Sequence, residues 1–333
     1  MVKDRHLNYK FKMTKLIIQI PCYNEEDSLP ITLAALPREL AGIDEIEWLV
    51  IDDGSEDRTA EVAKEQGVNH IVRLPYNRGL SAAFVEGLRV CLELGADIIV
   101  NTDADNQYRG SDIAKLVLPI LSGDAEIVIG ARPIDKIQHF SLSKKILQRI
   151  GSAVVRLASG TDIADAPSGF RAMTRDVAMR IHVFNDFTYT LETIIQAGRN
   201  NMKIISVPID TNPDLRKSRL VKGIGNYIVR SLFVIFRIFI AYKPLLFFWI
   251  LGGTITLFGF GIGFRYLYYY VIDEGSGHIQ SLLLGTLFLT VGFLIMAMGL
   301  LADQIGVNRK LLEMIDWRQQ KLAEEIRNRA PRN

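Results

Sequence analysis

An α/β domain with a mostly parallel sheet, joined to a membrane anchor, is what this chain of 333 residues predicts. Three observations carry that prediction. Short apolar runs alternate with segments of helical period over the first two-thirds of the chain, the pattern of strands and their covering helices. Several runs end in polar clusters, as strands do when a ligand sits at their carboxyl ends. Two long uncharged stretches follow later in the chain, each long enough to cross a bilayer core.

Composition agrees. Hydrophobic residues make up 49% of the chain beside 23% charged residues, a mixture that suits a soluble part joined to a membrane part. The net charge of +2 points to no particular class of partner, and the two cysteines are too few for a disulfide framework. Residues 1–14 form a polar, basic tail, and the apolar run that follows it is too short for a signal peptide.

The strand candidates are 16–20, 48–51, 70–74, 97–100, 127–129 and 204–207. Each is a short apolar run bounded by turn residues or charges. Helical period predicts helices over 28–40, 57–66, 80–94 and 111–121. Three strand ends carry chemistry. The first is Pro21-Cys22-Tyr23-Asn24-Glu25-Glu26, the second Asp52-Asp53-Gly54-Ser55, and the fourth Asp103-Ala104-Asp105. Two acids one residue apart repel each other and call for a cation. A hard divalent ion such as Mg²⁺ leaves coordination positions for phosphate oxygens. A tyrosine ring can stack on a base, and a carboxylate can accept a base N–H. Gly54 lets the chain turn where a side chain would block a ligand. Asn77-Arg78-Gly79 opens the third helix, where an N-terminus with an adjacent Arg suits phosphate. Taken singly, each cluster is more readily an ordinary turn or helix start; three at the ends of the first, second and fourth strands predict a nucleotide site.

Pro21-Cys22-Tyr23-Asn24-Glu25, Ile51-Asp52-Asp53-Gly54-Ser55 and Asp103-Ala104-Asp105-Asn106-Gln107, in that order, resemble family 2 glycosyltransferases of the A-type fold. The resemblance is to the branch that acts on polyprenyl phosphates, and it covers roughly residues 15–305. It implies a nucleotide-sugar donor, a Mg²⁺ or Mn²⁺ cofactor and a lipid-phosphate acceptor. Asp103, Asp105 and Gln107 would then serve the metal and diphosphate. Pro21, Tyr23, Glu25, Asp53 and Asp52 would cradle base and ribose, and we add Asn24, Asn77, Gly79 and Ala104 from the same segments to the nucleotide-sugar set. Asn106 and Tyr108 depart from the glycine and histidine that members often carry. The Gln-x-x-Arg-Trp signature of processive synthases is absent from the sequence.

Asp165-Ala166-Pro167-Ser168-Gly169-Phe170-Arg171 resembles the Asp-x-x-Ser-Gly-Phe-Arg segment of the family. It implies a catalytic acidic residue at Asp165, near the anomeric carbon. A phosphate acceptor is already ionised, so Asp165 could act as a base or as an orienting, charge-stabilising group. Arg132 and Arg171 are candidates for holding the attacking phosphate; a structural ion pair is the equal alternative for each. Direct in-line displacement with inversion is expected, with the diphosphate leaving on the metal.

Arg216 and Lys217, in a basic segment after the last strand, join the acceptor set. Beyond them, Arg219, Lys222, Asn226, Arg230 and Arg237 share one stripe of a helical wheel, opposite Val221, Ile224, Ile228, Leu232, Ile235 and Phe239. That pattern predicts an interfacial helix; a helix packed on the soluble domain is the alternative. The uncharged runs are 244–264 and 281–302, with Asp273 and Glu274 between them and basic residues outside them. The positive-inside rule places both termini and the catalytic domain in the cytoplasm, at the plasma (inner) membrane. Gly259 and Gly263 suit a close helix contact. The charged segment 309–329 predicts a surface or interfacial helix, and a homo-oligomer is compatible with it.

The chain thus divides into a tail (1–14), a catalytic domain (15–212), an amphipathic segment (213–243), two membrane helices (244–305) and a charged C-terminal helix or tail (306–333). Transfer of one sugar to undecaprenyl phosphate is expected, with UDP-glucose favoured over GDP-mannose as donor. The alternatives are transfer to a neutral lipid and a catalytically silent nucleotide-sugar-binding partner of a flippase. Nucleic-acid binding is not expected, because the basic residues cluster beside the membrane runs.

Overall fold

The computed structural model describes residues 13–133, 142–183, 189–213, 233, 236–237, 240–272 and 278–329. The elements run β1 (Lys15–Cys22), α1 (Leu29–Ala35), β2 (Glu45–Asp52), α2 (Thr59–Glu65), β3 (His70–Arg73), α3 (Leu80–Glu93), β4 (Ile98–Asn101) and α4 (Ile113–Leu121). They continue β5 (Ile127–Ala131), α5 (Leu142–Ser159), β6 (Arg171–Thr174), α6 (Arg175–Arg180), α7 (Thr190–Arg199), β7 (Ile204–Pro208), α8 (Pro244–Val271) and α9 (Ile279–Arg329).

Among the described residues the strands form one sheet in the order β3-β2-β1-β4-β6-β5-β7. β1 is parallel to both its neighbours, β2 and β4. It is buried along nearly its whole length, which is why it reads as a continuous apolar run rather than an alternating one. The chain moves outward from β1 to β2 and β3, then returns to the other side of β1 as β4. The direction of winding therefore reverses between β1 and β4, and the crevice beyond the carboxyl ends of those two strands is the place for a ligand. Leu16, Ile18 and Ile20 of β1 join Val50, Val100, Leu29, Leu33, Leu116 and Val117 in one buried cluster. Each such side chain contributes roughly 1.5–3 kcal/mol through burial, so the crevice rests on a firm base.

Four of the expected helices and all six expected strands are present, with changes at their ends. α1 stops at Ala35, short of residue 40, because Leu36 is extended with ψ 141° and Pro37 disfavours a helical residue before it. β6 was not anticipated. It is four residues long and antiparallel to both β4 and β5, so it gives no long apolar run. Helices α5, α6 and α7 also lie where the period argument assigns none.

The chain divides into two compact units, Met1–Tyr227 and Ile228–Asn333. In the second, α8 and α9 are both long and apolar enough to cross a membrane. A Cβ on Gly252 would lie 2.7 Å from the Gly292 carbonyl oxygen, and one on Gly259 would lie 2.9 Å from Leu289 N, so glycine is what lets these helices touch. A Cβ on Gly263 would meet nothing within 4 Å, but one on the facing Gly285 would lie 3.3 Å from both Gly259 O and Gly263 N, so both of the expected glycines lie at the close contact. Arg309 Nη2 donates to the Ala241 carbonyl 3.4 Å away, which brings the start of α8 and the middle of α9 to one end of the hairpin. Arg265 lies inside α8, at the end away from Ala241. α9 runs on without a break through residues 303–308, where a boundary between membrane helix and tail was expected.

Candidate active site

The loop after β1 and the loop after β2 are clasped together. Asn24, at φ +55°, donates its backbone N–H to Ser55 Oγ (2.9 Å) and accepts from Glu56 N at Oδ1 (2.8 Å). Glu25 N donates to Thr59 Oγ1 (2.8 Å), and Glu26 N donates to Asp57 Oδ2 (3.1 Å). The Asn-Glu-Glu run is therefore a tie between two strand ends. It leaves the Tyr23 ring partly exposed beside the crevice.

Asp52 is wholly buried. Its Oδ1 accepts from Ser55 N (2.9 Å), and its Oδ2 lies 3.2 Å from Arg73 Nε. Asp53 accepts from Arg78 N (2.7 Å) and Gly79 N (2.8 Å), and so fixes the turn into α3. Burial pushes the Asp53 carboxyl up, although these N–H groups pull against it. Asn77 Oδ1 also accepts from Gly79 N, at 3.0 Å. Gly54, at φ +70°, has a reason the sequence did not reveal: a Cβ there would lie 2.5 Å from the backbone of Tyr76. The 75–79 loop crosses directly over it and presents the Tyr76 ring to solvent. Tyr76 was not anticipated.

Asp103 and Asp105 follow β4 as half-buried side chains. Ala104 between them sits in the core, and its carbonyl accepts from Thr32 Oγ1 of α1 at 2.8 Å. Burial first, and the Asp105 carboxylate second, push Asp103 up to about 7. A cation beside the two would relieve both effects. Among the described residues no three His, Cys, Asp or Glu side chains form a complete metal cage. Two carboxylates with the remaining positions left to ligand oxygens fit a Mg²⁺-type ion shared with a diphosphate. Gln107 N donates to Asp105 Oδ1 (3.2 Å), and Asn106 turns the loop at φ +56°.

The 165–171 segment closes the other side. Gly169 passes so near the acid loop that a Cβ on it would lie 3.0 Å from Asp103 Oδ1. Gly169 N donates to Tyr108 Oη (3.1 Å), and Gly169 O accepts from Asn101 Nδ2 (2.9 Å). Asn101 Nδ2 also reaches Tyr189 Oη (2.9 Å), while Gln19 Nε2 donates to Asn101 Oδ1 (2.9 Å). Asn101, Tyr108, Gly169 and Tyr189 hold the two halves together, and sequence reasoning missed all four in that role.

Arg132 and Asp165 form a two-pronged pair. Arg132 Nε donates to Asp165 Oδ2 (2.7 Å) and Nη2 to Oδ1 (3.1 Å). Asp165 is 1% exposed, and the Arg132 charge acts on Asp103. Arg171 corrects an expectation. It is 0% exposed and donates to the carbonyls of Ser168 and Thr190 and to Thr193 Oγ1. Neither an open phosphate cradle nor an ion pair describes it; its guanidinium is an internal brace, and burial lowers its pKa. Arg216 and Lys217 lie outside the described residues. The chain that leads to them leaves beside the acid loop, where Asn212 N donates to Gln107 O (2.9 Å) and Asn212 Nδ2 to Asn106 O (2.9 Å).

Residues 17–181 match the family model described as Glycosyl transferase family 2. The chain is 30% identical over 216 residues to the UDP-N-acetylglucosamine–dolichyl-phosphate N-acetylglucosaminyltransferase of Methanococcus voltae, covering 58% of this chain and 83% of that protein. It is 29% identical over 328 residues to the undecaprenyl-phosphate 4-deoxy-4-formamido-L-arabinose transferase of Photorhabdus laumondii, covering 89% and 90%. Among solved structures, the Mycobacterium tuberculosis glucosyl-3-phosphoglycerate synthase, in complex with Mn²⁺, UDP and glucosyl-3-phosphoglycerate, shares the fold. It superposes with a TM-score of 0.52 at 18% identity over 67% of this chain and 80% of that one. A switch-point crevice closed by an acid pair, in a chain that matches one of these relatives over nearly its full length, has one family to belong to: the chain is a member of glycosyltransferase family 2, in its polyprenyl-phosphate glycosyltransferase branch.

Proposed function

We propose that the chain transfers one sugar from a nucleotide sugar to a polyprenyl phosphate at the cytoplasmic face of a membrane. The observation that carries this proposal is the Arg132–Asp165 pair facing the acid corner. Both Asp165 oxygens are engaged by one guanidinium, which suits a residue that aims an arginine and does not suit a free base. An ionised phosphate needs no base, only a cation to hold it. In the proposed step an oxygen of the acceptor phosphate bonds to the anomeric carbon, the bond from that carbon to the donor diphosphate breaks, and configuration inverts. No proton moves.

Asp103, Asp105 and Gln107 would hold a Mg²⁺ or Mn²⁺ ion. Such an ion supplies positive charge to the leaving diphosphate. Pro21, Tyr23, Glu25 and Asp53 line the base and ribose end. Asp52, Asn24, Asn77, Gly79 and Ala104 act by holding the loops in place, and Arg216 and Lys217, outside the described residues, would add positive charge for the acceptor. Both ends of the α8–α9 hairpin are assigned to the cytoplasm. The Ala241–Arg309 contact supports two antiparallel spans, and Arg265 is a single basic residue at the opposite end.

The donor is the finer part of the proposal. UDP-glucose is favoured by resemblance alone, and the two relatives above carry other sugars in their names. Membranes holding the protein, incubated with labelled UDP-glucose, UDP-N-acetylglucosamine or GDP-mannose, decide it. One label should enter lipid only when undecaprenyl phosphate is added. Label entering diacylglycerol instead would establish the neutral-acceptor alternative, and no transfer from any donor with metal present would revive the silent-partner alternative.

A further inference from the structure

Gln19 and Asn101 are register partners on β1 and β4, and both are wholly buried. Ile17, Ile18 and Ile20 flank Gln19 in the same core. A polar pair in such surroundings is costly unless its atoms are bonded. Apolar residues at both positions could fill the space without that cost. The fold nevertheless makes room for the pair: a Cβ on Gly87 of α3 would collide with Gln19 Oε1. What the pair gains is a reach toward the crevice. Gln19 Nε2 donates to Asn101 Oδ1 (2.9 Å), which turns Asn101 Nδ2 toward Gly169 O and Tyr189 Oη, each 2.9 Å away. Gly169 follows a turn in which Ser168 N donates to Asp165 O (3.2 Å). Tyr189 is held in turn by Phe84 of α3, its ring stacked at 3.8 Å between centroids. One interior amide is thus tied to the strand that ends in the acid pair and to the segment that carries Asp165.

We propose, on the basis of the transfer reading above, that Asn101, oriented by Gln19, is a positioning residue for the reaction. It sets how far the Asp165–Gly169 turn, and with it the Arg132–Asp165 pair, stands from the acid corner. Asn101 is 0% exposed, so it acts through Gly169 and not on a ligand. The donor loops have their own clasps, Asn24 to Glu56 and Asp53 to Gly79, and do not depend on it. A reacting group misplaced by about 1 Å can cost about 10²-fold in rate. Loss of this amide is therefore read in turnover before it is read in donor binding.

Asn101→Leu and Gln19→Met remove the amides at nearly the native size, and Val117→Ala, a buried truncation in α4, is the control for lost stability. The full chains are compared at a temperature where each is folded. Asn101→Leu should lower kcat about 30-fold or more and Gln19→Met about 3- to 10-fold. UDP binding with Mn²⁺, read by calorimetry, should stay within about twofold of native in both. The double variant should be no slower than Asn101→Leu, because Gln19 acts through Asn101. Val117→Ala should lower the melting temperature and keep kcat. A merely structural pair would behave like Val117→Ala, and that result would overturn the proposal; so would a loss of UDP binding equal to the loss of kcat. Gln19→Met carries the same test should Asn101→Leu not fold. Hydrogen exchange separates this proposal from the transfer reading. Residues 165–171 should exchange faster in Asn101→Leu, while residues 21–26 keep the native rate. If the native chain transfers no sugar, the transfer reading falls, and faster exchange confined to 165–171 still upholds the tie. Unchanged exchange there overturns it.

Discussion

The two halves of the crevice are built on different principles. The donor half, around β1, β2 and α3, is held by short polar side chains bonded to backbone N–H groups: Asn24 to Glu56, Asp52 to Ser55, Asp53 to Arg78 and Gly79. The acceptor half, around β5 and β6, is held by two arginines, one paired with Asp165 and one braced on carbonyls. On the proposed assignment, backbone clasps fix loops that would present a rigid cradle to a base and a diphosphate. Guanidinium braces keep positive charge near the acid pair, where on the same assignment an anionic acceptor would approach an anionic donor. Variants in the two halves should therefore fail differently.

The largest effect should come from the acid corner that both halves share. Asp105→Ala should lower transfer by about 10³-fold or more with an unchanged melting temperature, since its carboxylate is not part of the core. Transfer within a few-fold of the native rate would remove the metal from the proposal. Next comes Arg132→Gln, which breaks the acceptor side alone. It should cost about 10²-fold in kcat/KM for the lipid phosphate while donor affinity, read by calorimetry, stays within about twofold. An equal loss of donor affinity would erase the distinction between the halves.

A smaller effect tests the donor cradle. Gly54→Ala meets the Tyr76 backbone and a left-handed φ, so it should destabilise the fold by about 1–3 kcal/mol and weaken donor binding. Gly123→Ala, at φ +77° with nothing within 4 Å, supplies the control: only the φ strain, and no change in donor binding. The smallest effect lies away from the crevice. Burial tends to raise the Glu47 carboxyl, but Lys15 (2.7 Å) and His70 (3.0 Å) outweigh it and hold the group below its usual value of 4.5. A depressed carboxyl adds stability above its unfolded pKa and loses it as pH falls through the folded one. Glu47→Gln should thus cost no more than about 1 kcal/mol near neutrality, and should flatten the loss of stability below about pH 4.5 in denaturant titrations.

Legibility in the sequence follows the same division. The donor loops were readable because their polar residues sit directly at the ends of apolar runs, within a few positions of one another. The acceptor half was harder to read. β6 is short, antiparallel and begins with a buried arginine, so no periodicity marks it. The contacts that fasten the halves are long-range: Asn101 bonds to Gly169 68 residues away and to Tyr189 88 residues away, and no local pattern encodes either. Gly54 shows the limit from the other side. Its positive φ was foreseeable from an Asp-Gly-Ser turn, but the crossing of the 75–79 loop above it was not. Arg171 was singled out correctly as a charged residue in a meaningful segment and assigned to the wrong surroundings, because a motif does not say which way a strand residue faces.

The central claim is that an aimed arginine, and no general base, brings the acceptor phosphate to the sugar. Asp165→Asn tests it most directly, in steady-state kinetics with donor saturating and lipid phosphate varied. Losing half of a buried ion pair should cost about 3 kcal/mol of stability. The folded fraction should keep kcat within about tenfold of native and show a raised KM for the lipid phosphate. A kcat lowered by about 10³-fold or more at unchanged KM, in protein shown to be folded, would make Asp165 a true base and contradict the account.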